Sequence, residues 1–154
     1  MEGYLTKEDI DNKINSGKYR IHKKCNLLIN EDGTEVIYLN DNRVLKIRET
    51  DRKRKRVTIP HVFNFSVSLL VYEAWYDDYI TKGYDVHHKN LNKKNNHYTN
   101  LEKLDREAHE SLHFLLDRQI DKNVELTREI NERNSKEQLY QSLADKLKNI
   151  DILF

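Results

Sequence analysis

The chain has 154 residues, of which 37% are hydrophobic and 34% charged, and its 27 lysines and arginines almost balance 26 aspartates and glutamates. This length predicts one domain, or one domain with an appendage, and it is enough to bury a core. No stretch approaches the roughly 18 continuous apolar residues of a membrane span, no secretory signal follows Met1, and the single Cys25 excludes an internal disulfide and a cysteine-rich zinc site. We therefore expect a soluble, intracellular (cytoplasmic) protein whose metal ligands, if it has any, are His, Asp, Glu or Asn.

The first part of the chain carries a helix signal followed by turn signals. Thr6 and Asp9 form a capping-box pattern ahead of regularly spaced isoleucines, which predicts a short helix over residues 7–16. Asp32-Gly33 lies between two apolar runs and predicts a β-hairpin turn. Asp41-Asn42 is typical of a second hairpin turn.

Basic side chains are concentrated just after these turns. Residues 43–56 carry eight basic and two acidic side chains, whereas residues 107–154 carry seven basic and ten acidic ones. A third strand, expected near residues 56–59, would place the basic residues on or beside a hairpin tip, from which they could contact a polyanion. A solvated basic turn explains the pattern about as well. The densest part of the cluster consists of Arg52, Lys53, Arg54, Lys55 and Arg56.

Two later segments have the apolar spacing of helices. An apolar face recurs within residues 65–76 and predicts a buried amphipathic helix. A helical pattern resumes near Arg106 and weakens at residues 131–135, where Ser135 and Gln138 form a second capping-box pattern. The apolar stripe behind it must pack somewhere, either back onto the same chain or in a two-fold homodimer. This stripe consists of Leu139, Leu143, Leu147 and Ile150.

Five of the seven histidines lie within residues 87–113, and four of them form the doublet His87-His88 and the pair His109 and His113. Positions four apart share one face of a helix, so His109 and His113 could direct two imidazoles to one ion, although ordinary surface or core histidines explain such a pair more often. The doublet strengthens the metal interpretation, because adjacent residues of a strand point to opposite sides and one can ligate while the other stays free.

The two histidine pairs flank a polar loop rich in asparagine, and together with it they resemble the motif of the HNH (His-Me finger, ββα-metal) endonuclease family over about 30 residues. The sequence departs from many relatives at Lys89-Asn90-Leu91, where they have a hydrophobic residue, Asp and Gly. A weaker resemblance reaches upstream, since residues 66–75 look like the helix that precedes the motif in phage-type and homing-type endonucleases. The matching segments are Val86-His87-His88-Lys89-Asn90, Asn95-Asn96, Asn100-Leu101-Glu102 and Arg106-Glu107-x-His109-x3-His113.

The resemblance implies a role for each matching position. His88 corresponds to the general base that takes a proton from water, and Asn100 to the asparagine that ties down the loop and helps orient the base. His87, His109 and His113 correspond to ligands of one divalent metal ion. A three-histidine set favours Zn, Ni, Co or Mn over Mg and Ca, and Mg remains possible if phosphate oxygens and waters complete the shell.

We therefore expect an α+β fold with three parts: a strand-rich, DNA-gripping region over residues 1–80, an HNH core over 81–130 and a helical tail over 131–154. The expected function is metal-dependent hydrolysis of DNA phosphodiester bonds by a phage or mobile-element endonuclease, with residues 52–56 on the DNA backbone. Two alternatives stay open. One is a non-catalytic DNA-binding module with a structural metal, and the other is a protein-interaction factor of a phage packaging machine.

Overall fold

The computed structural model describes residues 3–60 and 64–151, which form the expected α+β fold. In these ranges lie the helices α1 (Lys7–Asn15), α2 (Val67–Tyr76) and α3 (Arg106–Asp151) and a 3-10 turn at Tyr98–Asn100. The strands form three antiparallel sheets. They are β1 (Tyr19–His22), β2 (Leu27–Asn30), β3 (Val36–Tyr38), β4 (Arg43–Val44), β5 (Ile47–Glu49), β6 (Lys55–Thr58), β7 (Asn64–Ser66), β8 (Tyr84–His88) and β9 (Leu101–Asp105).

Helix α1 begins at the predicted capping box. The Thr6 hydroxyl accepts a hydrogen bond from the backbone N–H of Asp9 at 3.1 Å, and the Asp9 carboxylate accepts one from the N–H of Thr6 at 2.9 Å. The helix ends within one residue of the predicted boundary. Its Ile10 side chain is buried with Leu28 and Ile37, so α1 covers one face of the first sheet.

The first sheet contains β1 to β4 in chain order, and the predicted turns at Asp32-Gly33 and Asp41-Asn42 join its last three strands. Gly33 has a φ of +65°, in the left-handed region. A Cβ atom at Gly33 would lie only 2.3 Å from Cγ1 of Val67 in α2. Both the dihedral angle and the close approach require glycine, so this turn sets how closely α2 packs on the sheet.

Helix α2 forms the centre of the main core. It begins at Val67, two residues after the predicted start, because Phe65 is paired with Val57 in the second sheet. Leu70 and Val71 are fully buried, as is Val67. Near its end the ring of Trp75 stacks on Tyr98, with centroids 4.4 Å apart, which connects α2 to the 3-10 turn before β9.

Strands β5, β6 and β7 form the second sheet, and β6 lies where the third strand was predicted. The turn between β5 and β6 is closed by Thr50, whose N–H donates to the carbonyl of Arg54 at 2.9 Å and whose carbonyl accepts from the N–H of Lys53 at 2.8 Å. The basic cluster therefore occupies a hairpin tip, as expected. All five of its side chains except that of Lys55 are exposed.

Helix α3 is continuous from Arg106 to Asp151, so the predicted second helix start at Ser135 is wrong. The Ser135 hydroxyl donates to the carbonyl of Asn131 at 2.9 Å, one turn earlier in the same helix, instead of capping a new one. Residues 131–135 contain neither glycine nor proline, so nothing in this polar run interrupts the backbone ladder. In the predicted C-terminal stripe Leu139 and Leu143 are exposed, and the side chains of Leu147 and Ile150 lie outside the described part of the structure.

The chain divides into two compact units, residues 1–109 and 110–154. The first contains the three sheets, α1, α2 and the first turn of α3, and the second consists of the rest of α3. The domain boundaries predicted from the sequence near residues 80 and 130 remain predictions. No helix within residues 3–60 and 64–151 combines the length and the apolar composition that crossing a membrane requires.

Candidate active site

A β-hairpin and the first turn of α3 position the histidines. Strand β8 pairs with β9 so that His87 lies opposite Glu102 and His88 opposite Leu101. Asp105, the last residue of β9, caps α3 by accepting a hydrogen bond from the N–H of Glu107 at 2.9 Å. The hairpin thus leads directly into the helix, which gives the expected ββα order.

One side of β8 brings His87 next to His109 and His113 of α3, and these are the three residues expected to bind a metal ion. His87 is 4% exposed, and its ring centroid lies 5.1 Å from that of His109. His113 follows His109 by one helical turn and therefore lies on the same face of α3. One ring nitrogen from each of these histidines lies within 4.8 Å of the other two.

An ionised carboxylate supports this histidine cluster. Asp85 lies two residues before His87, on the same side of β8. Its Oδ2 atom is 3.6 Å from Nδ1 of His109, and Arg106 donates to both of its oxygens at 3.3 Å. The hydrogen bonds from Arg106 hold the pKa of Asp85 below its ordinary value, although partial burial acts in the opposite direction. A carboxylate at the other ring nitrogen is a common outer partner of a metal-binding histidine, and no motif in the sequence pointed to this residue.

The second side of β8 carries His88, which is half-buried. Its Nε2 atom lies 2.9 Å from Oδ1 of Asn96, a side chain only 2% exposed. Burial lowers the pKa of His88; the hydrogen bond to Asn96 opposes that effect, and the positive charges of Arg54 and Lys93 add to it, so that the net pKa is below the ordinary value. His88 is therefore a neutral imidazole near pH 7, with one ring nitrogen held by an amide.

Asn100 closes the loop between β8 and β9. Its side-chain nitrogen donates to the carbonyl of Asn95 at 2.8 Å and to Oδ1 of Asn90 at 3.0 Å, and its side-chain oxygen accepts from the N–H of Asn90 at 3.1 Å. These are the loop contacts expected of Asn100. The side chain that contacts the imidazole of His88 is Asn96, which the sequence analysis included in the motif without giving it a role.

The same loop is connected to the basic hairpin at the residue just before its turn. The Nζ atom of Lys94 lies 3.1 Å from Oε1 of Glu49, the last residue of β5. Arg54, at the tip of that hairpin, is close enough for its charge to lower the pKa of His88. At least one residue of the basic cluster thus lies in the electrostatic range of the imidazole.

Comparison with known proteins agrees with this geometry. Residues 67–110, which run from the start of α2 to the first turn of α3, match a family model described as HNH endonuclease. A search of curated proteins gave no match. A solved structure described as "DNA binding and cleavage by the HNH homing endonuclease I-HmuI" resembles the chain with a TM-score of 0.53 and 22% sequence identity. The similarity covers 64% of this chain and 59% of that one, and it is a likeness of fold.

The fold and the site therefore define a ββα protein with a histidine-rich hairpin and helix. The resemblance predicted from the sequence is confirmed for the segment over residues 67–110, which matches the HNH endonuclease family model, and the fold resembles that of an HNH homing endonuclease.

Proposed function

We propose that the chain is a metal-dependent endonuclease that hydrolyses phosphodiester bonds of DNA. The observation that carries this proposal is that two adjacent residues of β8 lie on opposite sides of the strand and have different partners. His87 joins His109 and His113 on one side of β8, whereas His88 lies on the other side against Asn96. A purely structural metal site would need only His87, His109 and His113. A half-buried neutral imidazole beside it is the arrangement of a general base.

The residues fit a divalent ion by the chemistry of their donors. His87, His109 and His113 offer three imidazole nitrogens within 4.8 Å of one another, and Asp85 stands behind His109. Three protein ligands that leave further positions open are typical of catalytic zinc sites, and imidazole also suits Mn, Co and Ni. When bound, such an ion would neutralise charge on the phosphate and on the leaving oxygen. Mg²⁺ remains a candidate, because phosphate oxygens and waters could supply its other ligands.

The role proposed for His88 is to take a proton from the attacking water. If Nε2 donates its hydrogen to Oδ1 of Asn96, the neutral ring keeps its lone pair on Nδ1, which then accepts the proton. The lowered pKa keeps that lone pair available at neutral pH. Asn100 contributes by holding the loop on which Asn96 lies.

DNA is the proposed substrate because of the charge distribution and the family. The exposed basic tip between β5 and β6 can contact phosphates, and the ion pair between Lys94 and Glu49, the residue just before this tip, connects it to the loop that carries Asn96. The solved structure with a similar fold is that of a homing endonuclease described as binding and cleaving DNA. The same cluster, Arg52, Lys53, Arg54, Lys55 and Arg56, is proposed to supply most of a salt-sensitive affinity.

The test combines cleavage with metal binding. Metal-stripped protein is incubated with supercoiled plasmid and one of Mg²⁺, Mn²⁺, Co²⁺, Ni²⁺ or Zn²⁺, and nicked or linear product is expected with at least one ion and none in EDTA. His88→Ala should abolish cleavage while the calorimetric metal affinity stays unchanged. His113→Ala should weaken metal binding first, and cleavage with it.

His97→Ala is the matched control, because His97 lies in the same loop but bonds to Thr99. It should retain both properties. Loss of metal binding in His88→Ala would mean that the roles of His87 and His88 are reversed. If the wild-type protein binds metal and DNA but no ion supports cleavage, the non-catalytic alternative is correct.

A further inference from the structure

The middle of helix α3 carries apolar side chains that no described part of the chain covers. Every side chain from residue 117 to residue 146 is exposed. Leu126 is 55% exposed, Ile130 58% and Tyr140 69%. An isolated helix gains little stability in water from propensity alone, and most helices are held by packing of an apolar face. We therefore expect this face of α3 to pack against a partner.

Six apolar residues between positions 112 and 144 follow a heptad spacing with alternating layers, whereas Phe114, Leu115, Ile120, Val124, Leu139 and Leu143 lie outside it. Leu112, Leu126 and Tyr140 recur every 14 residues, which is two heptads, and Leu116, Ile130 and Ala144 do the same four residues later. The intervening seam positions are polar. They are Gln119 and Asn123 in one layer and Arg133 and Glu137 in the next.

This order of layers is palindromic about residue 128. It runs apolar, polar, apolar, polar, apolar from residue 112 to residue 144. A palindromic seam matches a second copy of itself that runs in the opposite direction, with Leu126 of each copy beside Ile130 of the other. Such a pairing is isologous and closes as a two-fold dimer.

Charge selects the antiparallel orientation. In a parallel, in-register pair Arg133 would face Arg133 of the second copy, and Glu137 would face Glu137, so like charges would meet at the seam. In the antiparallel pair Arg133 faces Asn123 and Glu137 faces Gln119, which replaces two repulsions by hydrogen-bonding contacts.

We propose that residues 112–144 of α3 form an antiparallel two-stranded coiled coil with a second copy of this chain. The proposal is independent of the nuclease function, because no side chain of the seam is one of those proposed for metal binding, catalysis or DNA contact. It places the seam in the middle of the helix, largely before the C-terminal stripe that the sequence analysis singled out.

Sedimentation equilibrium of the full chain tests the association. The wild-type protein should sediment as a dimer, and Leu126→Glu should convert it to a monomer, because two carboxylates would face the apolar layer at the centre. Val124→Glu is the matched control, since Val124 is 64% exposed on the same helix but lies outside the seam. It should remain a dimer. A monomeric wild-type protein, or an equal response of the two variants, would overturn the proposal.

Spin-label distances test the orientation. In a Cys25→Ser background, Ser142→Cys provides a single labelling site 14 residues from the centre of the palindrome. At 1.5 Å per residue, the antiparallel pair should separate the two labels by about 40 Å along the helix axis. A parallel pair would hold them at the interhelix spacing of roughly 10 Å plus the length of the labels. The shorter distance would overturn the antiparallel arrangement even if the dimer is confirmed.

Discussion

Nε2 of His88 and Oδ1 of Asn96 lie 2.9 Å apart, and the two residues are eight positions apart in the chain. The side chain of Asn96 is almost wholly buried. This contact predicts that Asn96 positions His88, the proposed general base. Asn96→Ala should lower single-turnover cleavage by about tenfold or more, within the roughly 100- to 10,000-fold that a general base contributes. Metal affinity measured by calorimetry should stay unchanged, because Asn96 contacts the imidazole opposite the metal cluster.

Asn95→Ala is the matched control for this substitution. Asn95 is the exposed neighbour of Asn96. Alanine keeps its backbone carbonyl, which accepts from Asn100, and removes only the long hydrogen bond, 3.3 Å, that its side chain accepts from the N–H of His97. Its cleavage rate should stay within about threefold of wild type. Equal losses in both variants would indicate that the loop as a whole, and not the amide of Asn96, matters for the rate.

The pH profile of cleavage gives a second prediction. The proposed role of His88 as general base requires its neutral form, and its pKa is lowered by burial and by the charges of Arg54 and Lys93. The rate should therefore be retained at pH 7 and fall only below the ordinary histidine value of about 6.5. Arg54→Gln removes one of the charges that lower the pKa, so the acid limb should move to higher pH. A limb that stays in place in this variant would contradict the electrostatic coupling between the hairpin tip and His88.

Asp85 is predicted to strengthen the metal site through His109. Asp85→Asn keeps the size of the side chain but removes the negative charge beside Nδ1 of His109. Metal affinity should fall by about 10- to 100-fold, as is typical for outer partners of metal-binding histidines. Calorimetric titration measures it. Asp78→Asn is the control, because Asp78 pairs with Lys103 on the same hairpin, and an equal loss there would refute a specific role for Asp85.

The basic tip is predicted to control the salt dependence of DNA binding. Arg52, Lys53 and Arg54 are exposed, and changing all three to glutamine should weaken binding and reduce the log–log salt slope by about one unit for each lost phosphate contact. Filter-binding titrations at several salt concentrations measure the slope. The control changes the same net charge at three exposed residues elsewhere in the first unit, Lys7, Lys18 and Lys82. Equal slopes in the two triple variants would show that only net charge counts.

Gly33 provides a prediction about stability. In Gly33→Ala the new Cβ would meet Cγ1 of Val67 at 2.3 Å in addition to a strained φ of +65°. We expect a loss of about 2–4 kcal/mol in the free energy of unfolding, measured by urea denaturation. Gly17→Ala separates the two effects, because Gly17 has a φ of +73° but no atom lies within 4 Å of the point where its Cβ would be. It should cost only about 1 kcal/mol.

Local patterns made much of the fold predictable. Thr6 with Asp9, and Asp32 with Gly33, act through hydrogen bonds and dihedral angles within a few residues, so their sequence spacing was enough to place α1 and the hairpin of β2 and β3. The histidines that cluster were predictable for a similar reason. Strand alternation separates His87 from His88, and one helical turn separates His109 from His113.

The remaining features depend on packing between distant segments. Asn96 was one of four asparagines in the loop, and only the folded loop places its amide against His88. Asp85 becomes a partner of His109 because β8 is aligned with the start of α3, 24 residues later in the chain. Ser135 had the spacing of a cap, but a continuous backbone ladder gave its hydroxyl a nearer acceptor.

Successive side chains of β8 point to opposite sides of the strand. The site therefore depends on whether an insertion in β8 adds an odd or an even number of residues. One residue added between Asp85 and His87, without a compensating bulge, would rotate the strand beyond it by half a turn and exchange the sides to which the two imidazoles point. Two added residues would restore the sides but shift the pairing with β9. Length changes in this strand should therefore disturb the histidine site far more than equal changes in the exposed part of α3.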